Sequence, residues 1–151
     1  TPYSLRVESF FYWMFITKQQ KYKYESLKSY RKLMDGIIFR LLSNNEISSF
    51  DKERIASEWV CAQIRSFEEW VYDLTARNRL NVDEEQNSEY RKLLTIYCNE
   101  NEVEPEFEAS ERIPGGISIT TRCRENLVYK LIKDAEEGKL FPKSPFPDLN
   151  F

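Results

Sequence analysis

The stretch SSFDKERIASEWVCAQIRSFEEWVYDL, residues 48–74, decides the fold class. Ile55, Trp59, Val60, Ile64, Phe67, Val71 and Leu74 recur at the three- and four-residue steps of an α-helix and hold one stripe for more than five turns. Ser48 with Asp51 three residues on is a variant capping box, aspartate standing where glutamate or glutamine is usual. Val60, Phe67 and Leu74 repeat at seven, as do Ile64 and Val71, so the spacing predicts a long helix packed at a shallow angle along neighbours. The run is too short for a free coiled coil.

Other helices follow on either side. Thr1-Pro2 suits a helix start, and Val7, Phe10, Phe11 and Met14 recur at helical spacing. Tyr12, Trp13, Phe15 and Ile16 fill the other faces, so this helix is apolar all round: a central element, or one that keeps a face for a partner. Leu27, Tyr30, Met34, Ile37, Ile38 and Leu41 mark a second amphipathic helix ending near Ser43. No Gly or Pro breaks 18–24, so the two are separate or form one bent helix. Gly36 inside the second suggests a close backbone approach. Asn81 with Glu84 opens a fourth helix, with Tyr90, Leu93, Leu94 and Tyr97 inward and an end near Asn99.

Between 100 and 108 glutamate alternates with other residues, but Pro105 and five like charges favour an exposed acidic loop over a strand. Pro114-Gly115-Gly116 is a turn, and Ile117–Thr121 has the β-branched composition of a short strand or a polar lead into the last helix. That helix carries Leu127, Val128, Leu131, Ile132 and Ala135 and stops at Gly138. The expectation is an all-α or nearly all-α chain of about five helices in an orthogonal or irregular bundle, with one short strand or hairpin near 113–121. Residues 1–141 form one domain, its core drawn from Phe10, Phe11, Met14, Leu27, Met34, Ile38, Trp59, Phe67, Val71, Leu93, Leu94, Leu127 and Leu131. Residues 142–151 form an extended Pro/aromatic tail.

Composition excludes more than it supports. With 151 residues the chain has the size of one domain, and 41% apolar residues with four glycines argue for a folded one. It has no histidine, which removes Ser-His-Asp and Cys-His nucleophile systems and histidine-based zinc or di-iron sites. Cys61, Cys98 and Cys123 are widely spaced, with no C-x-x-C pair, and read as free packed thiols in a reducing, intracellular setting, cytoplasmic or nuclear. The longest apolar run, Phe10 to Ile16, is far shorter than the roughly 20 residues of a membrane span. No signal-peptide pattern is visible, and a start at Thr1 suggests an excised domain or processed product. No cofactor motif or metal-ligand set appears. The carboxylates Glu53, Glu58, Glu68, Glu69 and Asp73 on the long helix read chiefly as solvated surface.

Charge is unevenly placed: 22 bases against 25 acids split into +5 over residues 1–43, −9 over 44–110 and +1 over 111–151. Lys18, Lys21, Lys23, Lys28, Arg31 and Lys32 sit among Tyr22, Tyr24 and Tyr30, a pattern that could bind phosphates and stack on bases, or could face solvent or the acidic segment 100–108. A Gly115-Gly116 turn before a helix with Arg122 and Arg124 could hold an anion. The same helix, 121–137, could read DNA in helix-turn-helix fashion, against the repulsion of Glu125, Asp134, Glu136 and Glu137. With no catalytic constellation and 15% aromatic residues, the expected function is non-enzymatic: an adaptor or regulatory domain binding another protein, or itself as a homo-oligomer. Tyr12, Trp13, Phe146 and Phe151 are its expected anchors, and nucleic-acid binding is the alternative.

Overall fold

The structure is a computed structural model that describes residues 33–72 and 82–139. In order these form helix α1 (33–42), helix α2 (Ser49–Tyr72), helix α3 (Glu84–Glu100), strands β1 (Phe107–Ala109) and β2 (Ile117–Ile119), and helix α4 (Thr121–Glu136). The fold is mostly helical with one antiparallel hairpin. The described residues hold four helices where about five are expected; the first predicted helix, the basic segment 18–32 and the tail lie outside them.

Helices α2, α3 and α4 each begin where a side chain satisfies orphan backbone N–H groups. Ser48 Oγ accepts from Asp51 N at 3.1 Å and starts α2. The cap of α3 is Asp83 and not Asn81: its carboxylate accepts from Gln86 N (2.8 Å) while Gln86 returns its side-chain oxygen to Asp83 N (3.1 Å), a complete capping box. At its other end α3 closes with Val103 N on Cys98 O (2.9 Å) and Glu102 N on Asn99 O (3.1 Å), and Glu102 takes the positive φ of 57° that this closure needs. Helix α4 ends in the same way, with Gly138 at φ 74° as the sequence predicts.

α2 is the spine and packs against both α3 and α4. Trp59, Val60, Ile64, Phe67 and Val71 are buried along its predicted stripe, with Met34, Ile38 and Leu42 of α1, Leu93 and Leu94 of α3, and Leu127 and Leu131 of α4 closing the core. Every predicted core residue among those described is buried. Gly36 departs from expectation: it is exposed, and a Cβ there would meet nothing within 4 Å among the described residues.

The segment 100–111 is also corrected. Its last part is a strand, with Glu108 opposite Ser118, Phe107 opposite Ile119 and Ala109 opposite Ile117. Two acids ahead of the strand find cations on α4: Glu106 pairs with Arg122, and Glu102 lies 3.6 Å from Lys130, while Glu108 in the strand itself stays exposed. The hairpin turns at Ile113-Pro114-Gly115-Gly116, where Gly116 N donates to Ile113 O (2.8 Å) and Gly115 sits at φ 78°, a conformation that favours glycine after proline. Tyr72 ties the hairpin to the helices. Its hydroxyl donates to Asn87 Oδ1 (2.7 Å) and accepts from Ile117 N (3.4 Å), while Asn87 Nδ2 donates to Gly115 O (2.9 Å). Arg91 of α3 stacks over Phe107 at 4.5 Å from the ring centre.

Candidate functional site

Docking the hairpin across α2 and the start of α4 leaves a cleft of about 290 Å³. Cys61, Ile64, Arg65 and Glu68 line it from α2, Glu108, Ala109, Ser118 and Ile119 from the strands, Ser110, Glu111 and Arg112 from the turn, and Thr121 and Arg124 from α4. The spacing of 61, 64, 65 and 68 is one helix face, adjacent to the buried stripe. Ser110 Oγ shapes the turn by accepting from Arg112 N (3.2 Å) and Ile113 N (3.0 Å).

Electrostatically the cleft is mixed. Glu68 is buried and its carboxylate is held by the half-exposed Arg112, so one cation of the lining is committed. Arg65 and Arg124 have no carboxylate within ion-pair distance among the described residues, and neither do Glu108 and Glu111 have a base. Two forked donors and two acceptors thus face a ligand-sized space without internal partners. Ser118 and Thr121 add hydroxyls. Cys61 adds a partly exposed thiol with no hydrogen-bonded base among the described residues. Near the cleft the Tyr90 hydroxyl is buried without a hydrogen-bond partner among the described residues. Burial first, then the negative charge of Glu68, pushes its pKa well above the ordinary tyrosine value of 10.0, and Arg112 and Arg124 partly oppose this.

The hairpin register has a second consequence. Ser110 N bonds Gly116 O (3.0 Å) and Thr120 N bonds Glu106 O (3.0 Å), so Glu108 and Ser118 are the pair that exchanges bonds between them. The N–H and C=O groups of Phe107 and Ala109 therefore point away from β2, along an edge that no other strand covers among the described residues.

No family model, curated protein or solved structure matches this chain.

Of the residues expected from sequence, Arg124 reaches the cleft and Arg122 does not. Arg122 is held by Glu106, whose carboxylate also accepts from Thr120 Oγ1 at 2.9 Å; these bonds, Arg122's first, hold Glu106 below the usual carboxylate range. The two arginines are thus not presented together as a recognition surface. The glycine pair belongs to the hairpin turn and does not lead directly into α4: Gly116 N is bonded to Ile113 O, Gly115 O accepts from Asn87, and Thr120 caps α4. Tyr12, Trp13, Phe146, Phe151 and the basic residues Lys18, Lys21, Lys23, Lys28, Arg31 and Lys32 lie outside the described residues. Exposed aromatics do occur within them, at Phe50 and Tyr129. Arg65, Glu108, Glu111 and Arg112 carried no signal in sequence because only the tertiary fold brings them together.

Proposed function

We propose that this domain is a non-enzymatic interaction module that takes an extended segment of another protein along β1 and into the adjoining cleft. The observation that supports this reading is the open β1 edge beside a lining of both charges. Added as a third strand, a peptide backbone pairs with the free groups of Phe107 and Ala109, and its side chains meet Arg65 and Arg124 on one hand and Glu108 and Glu111 on the other. Main-chain pairing supplies affinity, and the alternating charges select the partner and its direction.

The test is to pan a displayed library of unstructured peptides on the domain. We expect enriched peptides whose binding falls at least tenfold in the Arg65→Glu, Arg124→Glu double variant and is unchanged in Glu53→Arg, on an exposed position of α2 outside the cleft lining. Enriched peptides indifferent to both substitutions, or no enrichment, would count against it. Nucleic-acid binding through Lys18–Lys32 is the second proposal. A labelled single strand that fails to bind at low salt and micromolar protein would remove it.

A further inference from the structure

Cys98 and Cys123 are 25 residues apart in sequence, yet their sulfurs lie 3.8 Å from one another in the core. Two caps produce this approach. Cys98 is the residue whose carbonyl receives Val103 N in the closure of α3, so the turn that ends the helix fixes its backbone. Cys123 is the third residue of α4, and its N–H donates to the capping oxygen of Thr120 (3.2 Å). Neither residue can move far along its helix while these bonds hold. The gap between the sulfurs exceeds a disulfide bond by less than about 2 Å, within reach of side-chain rotation. Cys61 lines the cleft on α2 and forms no such contact.

We propose that Cys98 and Cys123 are an oxidisable pair that closes to an intramolecular disulfide joining the end of α3 to the start of α4. The co-reactant is a small disulfide such as oxidised glutathione. One cysteine thiolate attacks it and releases one glutathione thiolate; the second cysteine thiolate attacks the resulting mixed disulfide and releases the other. One protein S–S bond forms, the glutathione S–S bond breaks, and the two cysteine protons end on two glutathione thiols. Both thiols are fully buried, and burial together with the neighbouring sulfur of Cys123 suppresses ionisation of Cys98. Exchange therefore proceeds during folding or when the helix ends open, and the closed bond is shielded afterwards from reductants. The loop it closes contains the whole hairpin and one wall of the cleft.

Refolding the chain in a glutathione redox buffer, followed by non-reducing peptide mapping, tests this. We expect a Cys98–Cys123 linked peptide lighter by two hydrogens, Cys61 still open to alkylation, and a Tm roughly 6–12 °C above the reduced protein, as a loop of this length removes entropy from the unfolded chain. The shift should persist in Cys61→Ser and vanish in Cys123→Ser or when the chain is unfolded and refolded in dithiothreitol. Three alkylatable thiols after oxidation, a bond to Cys61, or a linked pair with unchanged or lowered Tm would each overturn the proposal, and the map of the unsubstituted chain decides even if a variant fails to fold.

Discussion

Tyr90 shows how one atom can cost a fold stability. Its ring lies 5.1 Å from that of Tyr72 and is fully buried, yet its hydroxyl has no hydrogen-bond partner among the described residues. An unpaired buried hydroxyl costs about 1–3 kcal/mol in desolvation. Tyr90→Phe keeps the ring and removes that loss, so we expect a gain of about 1 kcal/mol at neutral pH by urea unfolding. The same group sets an alkaline limit. Its folded pKa is raised above the unfolded value of 10.0, so the folded chain keeps a proton that the unfolded chain releases. The associated stability is whole below pH 10 and is lost as pH rises above it toward the folded value. The Phe variant should lose less stability than the parent over that alkaline window; a variant weaker at neutral pH would mean that the hydroxyl is satisfied. At this scale the sequence is a poor guide to causes. Tyr90 reads correctly as inward, but its missing partner is a tertiary fact, and Gly36 reads as a close approach although no described residue comes within 4 Å of a Cβ there.

Among the elements, the end of α3 is the strained one. Glu102 occupies a left-handed conformation that costs a side chain about 1 kcal/mol and glycine little. Its pairing with Lys130 at 3.6 Å leaves Glu102 exposed, and Lys130 sits closer to Asp134 (3.0 Å), so the pair contributes little. Glu102→Gly should therefore stabilise the chain by roughly 0.5–1 kcal/mol in thermal or urea unfolding, whereas Glu102→Ala, which loses the pair and keeps the strain, should give no gain. A loss of stability in the glycine variant would show that Lys130 matters more than the backbone. The helices were legible here because a 3.6-residue stripe and a cap are local signals. The strand in 100–111 was not, because its partner strand β2 and the Arg122 that pairs with Glu106 come later in the chain and leave no local signal. The start of α3 was misplaced by two residues for a simpler reason: Asn81/Glu84 and Asp83/Gln86 both have the spacing of a capping box, and only the second closes.

On the scale of the whole molecule, α2 organises everything else. One of its faces makes the core with α1, α3 and α4, and an adjacent face, at Cys61, Arg65 and Glu68, becomes a cleft wall only because Tyr72, Asn87 and Arg91 dock the hairpin over it. The core was readable from periodicity. The cleft was not, since its charges come from three elements and appear in sequence as ordinary surface residues. Its free edge and unpaired charges motivate the interaction reading, and amide hydrogen exchange tests that reading most directly. With a peptide selected on the domain in saturating amount, the Phe107 and Ala109 amides should become protected by at least tenfold while Glu108, already bonded to Ser118, changes little. Unchanged exchange at Phe107 and Ala109, with protection arising on another face, would contradict it.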